Sequence, residues 1–219
     1  MMSRFIDNLL KKMHISHEGK SVLMAGSVLS LVFFIWAPSL AVYGFLLLIF
    51  MMSFFRDPVR QIPDNPQVVV SPADGRISDI DIVRFDAFGD IPVRRIGIFL
   101  SVFDAHVQRY PFSGIIEKVQ YRKGRFHAAF SEKASQCNES NTVVIGTDHG
   151  PFAVRQIAGF IARRIVCHAK PEKEVVKGAR LGIIMFGSRV ELYIPEHIDL
   201  TAHVGDRVKA GETILGVIS

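Results

Sequence analysis

Leu181-Gly-Ile-Ile-Met-Phe-Gly-Ser-Arg-Val-Glu-Leu-Tyr-Ile-Pro195 contains two β-forming runs, 181–185 and 190–194, interrupted by Phe186-Gly187-Ser188-Arg189. A small pair inside an apolar β-type run weakens the strand and marks a bulge, a tight turn or a close approach to the backbone. On these four residues alone, the stretch reads as a bulge or turn in a sheet.

The same texture extends outward from this point. Short runs of β-formers separated by Gly, Pro, Asp and Asn predict strands at 68–70, 76–83, 94–102, 114–121, 141–147, 151–157, 165–167, 182–186, 189–194 and 213–217. Many short, closely spaced strands indicate a mainly β, β-rich α+β domain of barrel or sandwich type and not a βαβ array. Residues 157–164 are the best short helix candidate. No exact internal repeat is visible. Residues 204–216 have the turn-and-strand rhythm of biotinyl or lipoyl carrier domains, and 170–182 have a weaker version of it. Neither holds the lysine-bearing hairpin of a carrier.

The N-terminal quarter differs. Residues 21–55 carry no charge, a membrane signal. One straight helix of that length would be about 50 Å long, beyond a hydrocarbon core of about 30 Å. Pro38 divides the run into a helical hairpin or a re-entrant wedge. Lys11, Lys12 and Lys20 precede it and Arg56 and Arg60 follow, which predicts that both ends stay on the cytoplasmic side of the cell membrane. Residues 1–20, with Phe5, Ile6, Leu9, Leu10 and Met13 at helical spacing, read as an amphipathic leader or a frayed one. The expected organisation is therefore leader 1–20, membrane hairpin 21–55 and β-rich domain 56–219.

A net charge of +5 without any long run of like charges suits an anionic lipid surface or a phosphorylated substrate and argues against a nucleic-acid partner. Two cysteines, Cys137 and Cys167, are too few for a disulfide framework or a zinc cage, and the histidines lack metal-site spacing, so no metal is expected. Two polar motifs sit at strand ends. Ser71-Pro-Ala-Asp-Gly75 is a strand running into a turn. Asp104-Ala-His106 follows an apolar strand and places an acid and an imidazole on one face, where the carboxylate can set the ring's tautomer. Asn138-Glu139-Ser140-Asn141 is a third polar cluster, suited to capping or to hydrogen bonding a polar head group.

Taken in order, the apolar hairpin, Phe54-Phe-Arg-Asp-Pro58, Ser71-Pro-Ala-Asp-Gly75, Asp104-Ala-His106, Asn138-Glu139 and Phe186-Gly-Ser-Arg189 resemble the phosphatidylserine decarboxylases, in particular their short form with an N-terminal membrane hairpin. The resemblance implies a proenzyme that cuts itself between Gly187 and Ser188. This leaves a β chain of residues 1–187 and an α chain of residues 188–219 that begins with a pyruvoyl group made from Ser188. It also implies an α/β heterodimer, with a higher oligomer left open, acting on phosphatidylserine in the membrane. In such enzymes the pyruvoyl ketone forms a Schiff base with the substrate amine and accepts electrons as CO2 leaves. Glycine before the serine keeps the attacked carbonyl open.

By this resemblance Asp74 assists self-cleavage and His106 serves decarboxylation and protonation. The family's second histidine falls on Arg109; either His106 serves both steps, or Arg109 holds the substrate phosphate. Asn138 and Glu139 match a lipid-facing motif whose arginine is Ser140 here. The alternatives are a decarboxylase of another serine phospholipid, such as an archaeal ether lipid, and a non-catalytic, membrane-anchored carrier-like domain.

Overall fold

The computed structural model describes residues 14–36, 38–89, 91–124, 137–159, 164–185 and 188–218. By its contacts the chain divides into residues 1–59 and 60–219. In the first unit β1 (His14–Ile15) pairs antiparallel with β2 (Arg56–Asp57), so the ends of a helical pair, α1 (His17–Trp36) and α2 (Pro38–Phe54), are held together. Pro38 opens α2, where its missing N–H and fixed φ are tolerated. Small residues let the helices approach: a Cβ on Gly26 would lie 3.0 Å from Leu48 Cδ2, and one on Gly44 2.9 Å from Ser30 Oγ. Leu31, Phe34, Ile35, Val42, Phe45 and Leu46 remain exposed around the pair. By length and composition α1 can cross a membrane, whereas α2 is shorter. Arg56 donates to the Ser53 carbonyl at the C-terminal end of α2, where the helix dipole favours a cation. Most of the expected leader, residues 1–13, lies outside the described residues.

The second unit carries β3 (Val68–Val70), β4 (Gly75–Arg84), β5 (Pro92–Leu100), β6 (Val107–Arg109), β7 (Gly114–Arg122), β8 (Ser140–Gly146), β9 (Phe152–Ile157) and β10 (Ile165–Cys167). It continues with β11 (Glu174–Val175), β12 (Arg180–Ile184), β13 (Ser188–Pro195), β14 (Asp199–Leu200), β15 (Arg207–Val208) and β16 (Ile214–Val217). The β-rich expectation holds. The candidate helix at 157–164 does not form at its start, because Ile157 ends β9 and the Ala158 N–H bonds the Glu139 carbonyl. Residues 160–163 lie outside the described residues.

One curled sheet has the order β11-β7-β8-β9-β13-β5-β4-β15, and two small sheets have the orders β10-β12-β6 and β14-β16-β3. This arrangement is a topological repeat. Strands β3, β4, β5, β13, β14, β15 and β16 recur in the same sequence of roles as β6 to β12. The second set, within residues 107–184, is inserted between β5 and β13 of the first. Register breaks agree, at Ile77/Asp79 in β4·β5 and Ile116/Lys118 in β7·β8, and at Ile214/Gly216 in β16·β3 and Arg180/Gly182 in β12·β6.

The halves cross reciprocally at two Pro-x-x-Gly turns, Pro72 to Gly75 and Pro111 to Gly114: the Val70 N–H donates to Pro111 O at 3.0 Å and the Arg109 N–H to Pro72 O at 2.9 Å. The two carrier-like rhythms are the matching clasps on these turns. Gly211 N–H bonds Ser71 O and Gly178 N–H bonds Tyr110 O, each at 2.8 Å. Inward faces of the strands supply one core that includes Val69, Ile77, Ile96, Ile98, Val143, Ile145, Val154, Val190, Leu192 and Ile194.

Gly75 has φ +150°, and a Cβ there would lie 2.2 Å from the Phe99 carbonyl oxygen on the neighbouring strand. Backbone cannot yield as a side chain does. Gly75→Ala is therefore expected to lower unfolding free energy by about 2 kcal/mol or more, measured by chemical denaturation.

Candidate active site

A cross-strand row locates the candidate residues. Ser140 pairs with Ile157, Ile157 with Arg189, Arg189 with Phe99, Phe99 with Arg76, and Arg76 with Arg207. One step toward the same end of the sheet lie Glu139, Ala158, Ser188, Leu100, Gly75 and Val208. Asn138 and Asp74 follow one step beyond. The sheet therefore brings Asp74, Asn138, Glu139 and Ser188, scattered in sequence, to one end, and His106 follows the turn that leaves Leu100.

Ser188 is the first residue of β13 and is fully buried. It shares the inward face with Val190, Leu192 and Ile194, because strand side chains alternate. Among the described residues its Oγ makes no hydrogen bond. Phe186 and Gly187 lie outside the described residues. The expected bulge or turn falls on residues outside the described ones; before it β12 ends at Ile184 in a small sheet, and after it β13 starts at Ser188 in the large one.

His106 is fully buried, and its Nδ1 lies 2.9 Å from the Asp104 carbonyl oxygen. A carbonyl only accepts, so Nδ1 carries a hydrogen directed at it; in the neutral ring this leaves the lone pair on Nε2. The expected orienting group was the Asp104 carboxylate. It is turned away, accepting the Ser101 N–H at 2.8 Å, because β5 ends at Leu100 and the carboxylate closes the turn that follows. The ring is set by the backbone of Asp104 and not by its side chain.

Asp74 is nearly buried. Its carboxylate accepts two bonds from Arg60 Nη2, at 2.8 and 2.7 Å, and the Ala210 N–H at 2.8 Å. Arg60, expected as a flanking membrane charge, has a side chain 7% exposed and held between Asp74 and Glu212. Arg109 lies across the same turn, with its Nη1 donating to the Gly178 carbonyl at 3.1 Å. Asn138 is buried and donates to the Ala158 carbonyl at 2.8 Å, which ties the start of β8 to the end of β9. Among the described residues no cluster of His, Cys, Asp and Glu forms a metal site.

The sequence profile of the phosphatidylserine decarboxylases matches residues 47–216. Three proteins named phosphatidylserine decarboxylase proenzyme are similar to this chain. The one from Desulfotalea psychrophila is 45% identical, over 77% of this chain and 79% of its own. That from Syntrophus aciditrophicus is 40% identical over 92% and 96%, and that from Ehrlichia ruminantium is 40% identical over 96% and 93%. The chain belongs to the phosphatidylserine decarboxylase family. It is a carboxy-lyase.

Two features of this decarboxylase were not singled out from its sequence. One is a buried amide chain, Asn141–Gln156–Gln108, that ends on the His106 carbonyl; Asn141 belongs to the polar cluster read from the sequence, but Gln108 and Gln156, isolated in strands, give no signal of their own. The other is a charge network that begins at the residue after Ser188. Arg189 bonds Glu191 at 3.0 Å, Asp79 at 2.7 Å and Ser78 Oγ at 3.0 Å, while Tyr193 donates to the fully buried Glu191 at 2.7 Å. It joins β13 to β4 through Asp79, and Arg95 of β5 and Arg155 of β9 approach the same carboxylates.

Burial alone would raise the Asp79 carboxyl. The hydrogen bonds from Arg189 and Ser78 and the charges of Arg189 and Arg95 outweigh it and hold the group below the usual carboxylate range. A depressed carboxylate stabilises the fold above its unfolded pKa of about 3.9, and this contribution is lost as pH falls through the lower folded value. Asp79→Asn is expected to be less stable than wild type at neutral pH and to show a shallower loss of stability below about pH 4. Denaturant unfolding across pH tests this; parallel acid limbs would exclude it.

Proposed function

We propose that this chain is a self-processing, membrane-attached enzyme that converts phosphatidylserine to phosphatidylethanolamine and CO2. In this reading Ser188 is the source of its prosthetic group and His106 handles the protons. The observation that carries the reading is the buried hydroxyl of Ser188 at the head of β13, without a hydrogen bond among the described residues, at the sheet end that also carries Asp74 and His106. A serine in a packed core normally finds a partner. Its lack of one among the described residues supports Ser188 as the residue that reacts.

Processing joins Ser188 Oγ to the Gly187 carbonyl carbon as the Gly187–Ser188 C–N bond breaks. Loss of the Ser188 α-proton then expels Gly187 as a carboxylate. The dehydroalanine left behind takes up water and releases ammonia, giving pyruvoyl. The lone pair on His106 Nε2 is assigned to the proton removals, and the same nitrogen returns a proton to the substrate carbon in turnover. Asp74, held by Arg60 and the Ala210 N–H, supplies a fixed anion at this end of the sheet. The pyruvoyl group, once made, supplies a ketone that takes up the substrate amine and draws off electrons as CO2 departs. Arg109, bonded through its N–H to Pro72 of the same turn, is the cation assigned to the substrate phosphate, and Asn138 and Glu139 shape the head-group side.

The exposed apolar pair α1 and α2 supports a membrane hairpin over 21–55, preceded by a leader to residue 20 whose last residues, from His17, already belong to α1. Contacts that separate after Val59 support a catalytic domain over the remainder. Lys11, Lys12, Lys20 and Arg56 favour the cytoplasmic side. The carrier-like rhythm of 204–216 is accounted for by its clasp on the Asp74 turn, which favours an enzyme over a carrier.

Intact mass is expected to give two chains in the wild type, of 187 and 219 − 187 = 32 residues, and one uncut chain in Ser188→Ala. The small chain should react with hydrazine or borohydride. It should also remain bound until denatured, because β13 lies between β9 and β5. An uncut wild type that still decarboxylates would overturn the reading. His106→Ala is expected to abolish CO2 release, read with carboxyl-labelled phosphatidylserine; normal turnover would remove His106 from the site.

A further inference from the structure

We propose that Gln108 and Gln156 are positioning residues for His106: their side-chain amides replace part of the strand ladder beside the histidine and fix its backbone, and with it the imidazole. The inference rests on the assignment of His106 to the proton steps.

The topological repeat supplies an internal control. By the reciprocal turn bonds and the matched register breaks, His106 corresponds to Gln67, Gln108 to Val69, Ile184 to Ile218 and Gln156 to Ile194. In the first half the ladder closes normally, the Ile218 N–H donating to Gln67 O at 2.9 Å. In the second half the equivalent bond from the Ile184 N–H to His106 O is stretched to 3.4 Å. There Gln108 Nε2 donates to the same carbonyl at 2.6 Å. Gln156 Nε2 donates to Gln108 Oε1 at 2.9 Å, and Asn141 Nδ2 donates to Gln156 Oε1 at 3.3 Å. Each acceptor is engaged, so the Gln108 amide is oriented with its donor facing His106; a flipped amide would set oxygen against oxygen.

Gln108 and Gln156 are fully buried, as are their apolar counterparts Val69 and Ile194. Apolar residues fill those places in the same fold, so the amides are not required to build the core. Buried amides are tolerated only when fully bonded, and an apolar pair of similar shape is often neutral or better for stability. The amides occur in the half whose strand carries the histidine. A backbone carbonyl taken out of its ladder is free to tilt; the amide chain removes that freedom at the residue whose ring must meet a reacting carbon.

The experiment compares wild type, Gln108→Met, Gln156→Leu and the double variant as full chains in mixed micelles with phosphatidylserine. It reads kcat, KM, the pH profile of kcat and the thermal midpoint. Gln108→Met is expected to lower kcat by about 10- to 100-fold with KM changed little, and to displace the limb of the pH profile that reports the histidine; its thermal midpoint falls because the buried Gln156 amide loses its acceptor, and the double variant recovers part of that midpoint without recovering kcat. The double variant should be no slower than Gln108→Met alone, because the two amides act in series. Unchanged kcat and pH profile in Gln108→Met, or losses that follow the thermal midpoint alone, overturn the proposal. If Gln108→Met does not fold, Gln156→Leu decides by the same readouts, since its amide reaches His106 only through Gln108. Full turnover in His106→Ala overturns this proposal together with the assignment it rests on. An inactive His106→Ala beside wild-type kinetics in both glutamine variants overturns the positioning role alone.

Discussion

Two hydrogen bonds hold the plan of the unit from residue 60 onward together: Val70 N–H to Pro111 O, and Arg109 N–H to Pro72 O. They cross the two Pro-x-x-Gly turns over one another. Proline has no N–H, so at each crossing the proline can only accept through its carbonyl, and the donor is a strand N–H of the other half. From that crossing β4 and β7 leave in matching directions, each clasped by a glycine-bearing segment, at Gly211 and Gly178. Asp74 lies on one turn, and His106 ends the segment that leads into β6.

The insertion of residues 107–184 into the first half accounts for the placing of Ser188. In the inserted half β8 and β9 are joined by a short turn. Their counterparts β5 and β13 are neighbours in space, yet the whole second half lies between them in sequence. Leu100 and Ser188 pair at the mouth of this opened hairpin. Both chain ends of the opening are therefore delivered to one end of the sheet. A break there separates no paired strands, because every ladder of β13 runs to strands that are already distant in sequence.

Much of this was legible in the sequence. Strand positions came from runs of β-formers between turn residues, and the break at Pro38 came from its place in an uncharged run. The sheet partners were not legible, because a duplicated topology leaves only Pro-x-x-Gly, Val-Lys-Gly and Lys-Ala-Gly fragments at unequal spacing. Asp104-Ala-His106 was read with the Asp104 carboxylate as the orienting group, where the Asp104 carbonyl takes that place: position two apart says which face a side chain takes, not which turn its carboxylate closes. Arg60 was misread for a similar reason. A cation after an apolar run resembles a membrane flank until the fold shows Asp74 beside it. Gln108 and Gln156 sit on buried strand faces where Val69 and Ile194 would be ordinary, and only comparison between halves makes them conspicuous.

Asp74 takes one of its bonds from the N–H of Ala210, close to the C-terminal end of the chain. Synthesis reaches that residue, and Gly211 and Thr213 that bond Ser71 beside it, only after β4, β5 and β13. Until the final strands are laid down, the aspartate lacks that donor, β4 lacks its neighbour β15, and β3 lacks β16. Residues 207–217 thus complete the turn from outside it: a chain without them would carry every candidate catalytic side chain and still leave the turn beneath them unfinished.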